Sequence, residues 1–135
     1  MKIFLDANIL FSAAQSQSRM RAFITLLSKH AVCITSPYAA EEARRNLENK
    51  YPNTLPSLET LLKKCEIILA MATTVPITLP TKDLPILRGA TAGNATYLLT
   101  GDQKDFGKFW GKTIHGVKIV SPKLLAEKLA KRGWL

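Results

Sequence analysis

Short runs of β-forming residues alternate along this chain with longer amphipathic stretches, and that alternation leaves few folds open. KIFL at 2–5, VCIT at 32–35, YLLT at 97–100 and KIV at 118–120 read as strands. A fifth run, 75–78, is broken by Pro76, and with Pro80 close behind it suits an edge or an extended connection better than a central strand. Leu58, Leu61, Leu62, Cys65 and Leu69 recur at helical spacing. So do Leu124, Leu125 and Leu129, with Lys123, Lys128 and Lys131 left for the wet face. Ser36-Pro37 and Ser121-Pro122 are helix starts, a hydroxyl cap followed by proline at the first helical position. Residues 53–56 mark a turn before the Leu58 helix, and Asp83 opens a helix over 83–94. Strands alternating with helices predict an α/β fold with a parallel sheet. With 135 residues, 47% of them hydrophobic, the chain fits a single domain over 1–135, and it shows no repeat, low-complexity tract or linker.

Charge narrows the partners. Nineteen Lys and Arg against ten Asp and Glu give +9, with a pI near 9.8. A surplus of that size in a small domain favours a polyanion, because phosphate contacts release counterions. Cys33 and Cys65 each lie in an apolar run, outside any CxxC or Cys/His cluster, and are expected to be structural thiols of a reducing compartment. MKIFLDANIL places one lysine and then Asp6 where a signal peptide needs an apolar core, and no run approaches a membrane span. A cytoplasmic location with no membrane partner is expected.

The acids are few and oddly placed. In open parallel sheets ligands bind beyond the carboxyl ends of the strands. Asp6 directly follows KIFL. Ser36 follows VCIT and opens the helix carrying Glu41 and Glu42, and Thr100-Gly101-Asp102 ends YLLT. Three polar groups distant in sequence are thus expected at one sheet edge, with Asp83 opening the helix that leads into YLLT. Crowded carboxylates resist joint ionisation, and a divalent cation removes that penalty. All-oxygen ligation points to Mg²⁺ or Mn²⁺.

Five segments, LDANIL at 5–10, SPYAAEEARRNL at 36–47, KDLPIL at 82–87, LLTGDQKDF at 98–106 and IVSPKLLAEKL at 119–129, together resemble the PIN domain family, in its order and over nearly the whole chain. The resemblance implies a three-layer α/β/α sandwich around a central, mainly parallel sheet. It implies a metal-dependent endoribonuclease of the kind that serves as the toxin of toxin–antitoxin pairs, with RNA as substrate, an antitoxin protein as partner and a homodimer as the common assembly. Carried over by position, Asp6, Glu42, Asp83 and Asp102 are the catalytic and metal-binding acids. Glu41 competes with Glu42 through a one-residue shift. Asp105 is expected to hold a second metal or water near the first, and Asn8 and Thr100 support the site. Arg19, Arg21, Arg44, Arg45, Lys104, Lys108 and Lys112 are candidates for gripping the RNA strand.

Other readings are weaker. GKFWGKT at 107–113 is one residue too short between its glycines for a P-loop, so no nucleotide cofactor is expected. Lysines interleaved with Phe106, Phe109 and Trp110 suit either an RNA-stacking platform or a loop anchored by its aromatics with solvated lysines. His30 and His115 are isolated, and no serine or cysteine sits in a nucleophile elbow. Asp83, with Pro two residues on, also fits a helix cap, and Glu41 or Glu42 fits a surface ion pair with Arg44 or Arg45. A phosphatase with Asp6 as nucleophile wants an acid where Asn8 stands. A PIN-like module that binds RNA or protein without cutting is the remaining alternative.

Overall fold

The computed structural model describes residues 1–72, 79, 81 and 83–134. In chain order it has β1 (Lys2–Leu5), α1 (Ala7–Ala14), α2 (Arg19–Leu27), β2 (Val32–Thr35), α3 (Pro37–Lys50), α4 (Leu55–Lys63), β3 (Glu66–Ile67), α5 (Leu84–Ala92), β4 (Tyr97–Leu99), α6 (Gln103–Phe106), β5 (Thr113–Ile114), β6 (Val117–Val120) and α7 (Pro122–Lys131). The expected strand at 75–78 lies outside the described residues. The leucine repeat predicted as one helix through residue 69 stops at Lys63. Cys65 and Leu69 fall beyond it, Leu69 in the open, because the chain turns there into the edge strand β3.

The strands form one sheet in the order β3-β2-β1-β4-β6-β5, parallel throughout except for the β5–β6 hairpin. That hairpin closes through His115 and Gly116, both at positive φ (50° and 81°), as a tight two-residue turn demands. From β1 the chain steps to β2 and β3 on one side, then crosses back to β4 and β6 on the other. Right-handed crossovers therefore put α1–α4 on one face and α5 on the opposite face. Alternation along β2 agrees. Cys33 borders a cavity lined from α2 and α4, whereas the next residue, Ile34, faces Gly93 at the end of α5. With both faces covered, β1, β4 and β6 carry almost unbroken apolar sequence: Ile3, Phe4, Leu5, Leu98, Leu99, Ile119 and Val120 are fully buried. The result is the expected three-layer sandwich with a mainly parallel sheet.

Local chemistry sets the helix starts. Ser36 Oγ accepts from the Ala39 amide at 3.2 Å and Ser121 Oγ from Leu124 at 3.1 Å, with Pro37 and Pro122 at the first helical positions. Cys33 and Cys65 are free thiols, the first buried and the second half-buried. Burial, and then the nearby Cys33, push the Cys65 thiol up to about 12, so it stays protonated and unreactive. Among the described residues no helix is long and apolar enough to cross a membrane.

Candidate active site

The strand order reverses between β1 and β4. Their carboxyl ends frame the crevice where an open α/β sheet offers a ligand site. Asp6 leaves β1 there, its amide held by the Leu99 carbonyl at 3.1 Å. It also caps α1. One carboxylate oxygen accepts from the Ala7 amide at 2.6 Å, and the other accepts from the Thr100 hydroxyl at 2.8 Å and Asn8 Nδ2 at 3.2 Å. Asn8 Oδ1 takes the Gly101 amide at 2.8 Å, and Thr100 Oγ1 takes the Asp102 amide at 3.1 Å. This lattice joins the ends of β1 and β4 and fixes where Asp102 stands. Asp102 in turn caps α6, accepting from the Asp105 amide at 3.0 Å.

Asp6, Glu42, Asp83 and Asp102 line one cavity of about 350 Å³, together with Asn8, Phe11, Asn46 and Lys50. Within this region Asp83, Asp102 and Asp105 can each offer one carboxylate oxygen, all within 4.8 Å of one another. Asp6 and Glu42 share the cavity but stand outside that radius. Burial pushes the Asp6 carboxyl up to about 6. Thr100 and Ala7 pull it down by hydrogen bonding, and Glu42 and Asp102 push it further up by like charge. A crowded set of hard oxygen donors with one carboxyl driven towards its neutral form is what a divalent cation would relieve, so these residues fit Mg²⁺ or Mn²⁺.

The pair Glu41 and Glu42 separates in three dimensions. Glu42 faces the cavity and acts on Asp6, whereas Glu41 points outward and pairs with Arg44 at 3.5 Å. Asp83 is 5% exposed and sits at the start of α5, but its backbone is already helical (φ −98°, ψ −20°) and its side chain makes no capping bond. The cap reading is therefore replaced by a carboxylate turned to the acidic cavity, and the helix runs Leu84–Ala92, within the expected 83–94.

Of the seven basic candidates, none lines the cavity. Arg21 is bound to the Ala13 and Ala14 carbonyls and to Ser57. It borders the separate cavity of about 300 Å³ between α2 and α4, which no carboxylate lines. Arg44 is held by Glu59 at 2.6 Å and 3.2 Å. Arg19, Arg45, Lys104, Lys108 and Lys112 are exposed. Phe106 is fully buried, and Phe109 and Trp110 pack on the core. The 104–112 segment thus runs from α6 into a turn anchored by its aromatics, with its lysines exposed and Lys108 lying over the Phe109 ring.

The residues that do line the cavity and that the sequence reading missed are Phe11, Asn46 and Lys50. Tyr38 stands near them, one turn before Glu42 on α3. Its phenol is pushed up first by burial and then by Glu42, Arg45 opposing and Asp83 and Asp6 adding, so it lies within electrostatic reach of all three acids and of Arg45. Tyr38, Glu42, Asn46 and Lys50 follow one another at four-residue spacing along one face of α3, and that periodicity is the signal that would have found them.

The fold defined by this sheet order and helix arrangement is the PIN-like α/β/α sandwich. Among solved structures it is similar to VapBC2 from Rickettsia felis bound to a DNA fragment from their promoter, at TM-score 0.65 and 20% identity. The match covers 90% of this chain and 98% of that one. No protein-family model and no curated protein sequence matches this chain.

Proposed function

We propose that this protein is a single-domain, divalent-metal-dependent endoribonuclease, the toxin of a toxin–antitoxin pair acting in the cytoplasm. The observation that carries the reading is the convergence of Asp6, Glu42, Asp83 and Asp102 in one cavity at the switch point of the sheet, with Asp105 adjoining. The sequence resemblance and the similarity of fold to VapBC2 support it. The similarity to VapBC2 also supports an antitoxin as partner, and the sequence resemblance implies a homodimer as the assembly.

Asp83, Asp102 and Asp105 are the residues that would hold Mg²⁺ or Mn²⁺, with Asp6 and Glu42 completing the acidic wall. Such a cation, when bound, would supply a water of lowered pKa and offset charge on the phosphate oxygens. The protein's own part is positional. Thr100 and Asn8 fix the Asp6 carboxylate by hydrogen bonds, and the same two side chains brace the Gly101 and Asp102 amides, so the acids meet the phosphate without reorganising. Water oxygen would attack phosphorus in line as the bond to the 3′ oxygen breaks, and the proton lost by the water would end on that leaving oxygen. The products carry 5′-phosphate and 3′-hydroxyl ends.

The test is incubation of a mixed RNA pool with Mn²⁺, Mg²⁺ or EDTA, beside Asp6→Asn and Asp102→Asn. Fragments that need metal and vanish in both variants support the nuclease. RNA retention without fragments, unchanged by either substitution, would replace it with a binding module.

A further inference from the structure

Beside the acids, the cavity wall changes character. Ala7, Asn8 and Phe11 of α1 face it together, so Phe11 stands on the same side of the helix as the asparagine that braces the site. Ile9, Leu10, Ala13 and Ala14 of α1 build the core with Ala7, and Phe11 packs against it from the cavity side. Phe11 is half-buried, with the Tyr51 ring 6.0 Å away at 46° and the Lys50 ammonium 5.8 Å above its centroid. Tyr51 is a large aromatic left 51% exposed. Its backbone is firmly held, the amide by the Leu47 carbonyl at 2.6 Å and the carbonyl by the Thr54 amide at 3.0 Å. Asn46, one turn back from Lys50, presents an amide at the same mouth.

We infer that Phe11 and Tyr51, with Lys50 and Asn46, form a stacking platform for an unpaired nucleotide of a single-stranded nucleic acid. It would hold the base next to the phosphate at the acids. The placing of that phosphate rests on the nuclease reading; the stacking itself does not. A base lies flat on one ring and meets the other at an angle, since the two are inclined at 46°. The contact is sequence-tolerant because every base has a flat face. Lys50 exchanges its ring contact for the adjoining phosphate, and Asn46 meets the base edge with one donor group and one acceptor. A duplex keeps its base faces covered by stacking and offers none to the rings. The platform therefore selects unpaired strand beside a cavity whose acids are indifferent to base identity. It also places the basic contact on Lys50, away from the arginines of α2 and the 104–112 loop.

The test uses the full chain with a short single-stranded RNA carrying 2-aminopurine, whose fluorescence falls when it stacks on an aromatic ring. Binding and quenching are read in Ca²⁺ and in EDTA, and cleavage is read separately in Mn²⁺. The parent is expected to quench the probe and to bind the single strand in preference to the same sequence as a duplex. Tyr51→Leu and Phe11→Leu are expected to weaken binding by about 5- to 150-fold with loss of quenching. Phe11→Tyr, which keeps a ring face, should restore both, separating lost stacking from misfolding. Equal binding and quenching by the parent and both leucine variants would overturn the platform, as would a parent that never quenches or that prefers duplex. A parent that quenches but cleaves nothing in Mn²⁺ leaves the platform standing and removes the nuclease. A parent that cleaves, with leucine variants that cleave and quench equally well, does the reverse.

Discussion

Replacing Asp6 by asparagine should make the metal-free protein more stable at neutral pH, although it removes a residue at the heart of the site. The folded protein raises this carboxyl from its ordinary 3.8 to about 6, chiefly by burial. Folded Asp6 therefore holds its proton more tightly than the unfolded chain does. Stability falls as pH rises through that window and stays reduced above it. A displacement of that size corresponds to about 3 kcal/mol at neutral pH. Asparagine escapes the charge penalty but, with one oxygen, cannot accept from Ala7, Thr100 and Asn8 as the carboxylate does. Losing one such bond costs about 1 kcal/mol. The net expectation is a gain of about 1–2 kcal/mol at about pH 7.5. At about pH 4, where folded Asp6 is neutral, the gain vanishes and the lost hydrogen bond leaves the variant slightly weaker. Urea unfolding of parent and Asp6→Asn, with chelator at both pH values, measures the difference directly, since titrating groups that do not interact with Asp6 cancel. The like-charge contribution of Glu42 and Asp102 belongs to the effect measured. A variant equally destabilised at both would show that hydrogen bonding, and not desolvation, governs Asp6.

Other expectations concern the cation and the frame. Adding Mn²⁺ or Mg²⁺ at about a hundred times its dissociation constant should stabilise the parent by about 2.7 kcal/mol in thermal melts. Asp102→Asn should lose most of that gain, and a chelator should reverse it. Leu47 is fully buried on α3, so Leu47→Ala should destabilise by about 2–5 kcal/mol in urea titration. Arg44→Ala, which breaks a pair with side chains 38% and 48% exposed, should change stability by less than about 1 kcal/mol in the same titration and leave RNA cleavage unaltered.

The parts of the fold legible in the sequence are those written in local chemistry. The Ser-Pro starts of α3 and α7 carry their own caps, and KIFL and VCIT are strands in full. Strands β3 and β5 escaped because two residues cannot display a period, and their place is set by the neighbour that pairs with them. The same tertiary effect ended the leucine repeat at Lys63. In the site, the sheet-edge rule brought Asp6 and Asp102 together from residues far apart, but it could not choose between Glu41 and Glu42. That choice depends on which face of α3 turns to the cavity. It could not find Phe11 or Lys50 either, because their value lies in meeting across two helices. Net charge pointed to a polyanion without saying which cations stand near the acids, and of the two arginines on α2 one, Arg21, is bound to backbone carbonyls instead.

The joining of β1 to β4 has a consequence in time. Thr100 lies 94 residues beyond Asp6, and the bond between them exists only when β4 is seated against β1. A chain emerging from the ribosome presents Asp6, Asn8 and Glu42 early, yet its first half can pair β1 only with β2, on whose far side β3 lies. The cavity closes when the later strand slides in on the open side of β1. The acidic pocket therefore waits on β4, and a nascent chain that stops short of that strand carries Asp6, Asn8 and Glu42 without the pocket.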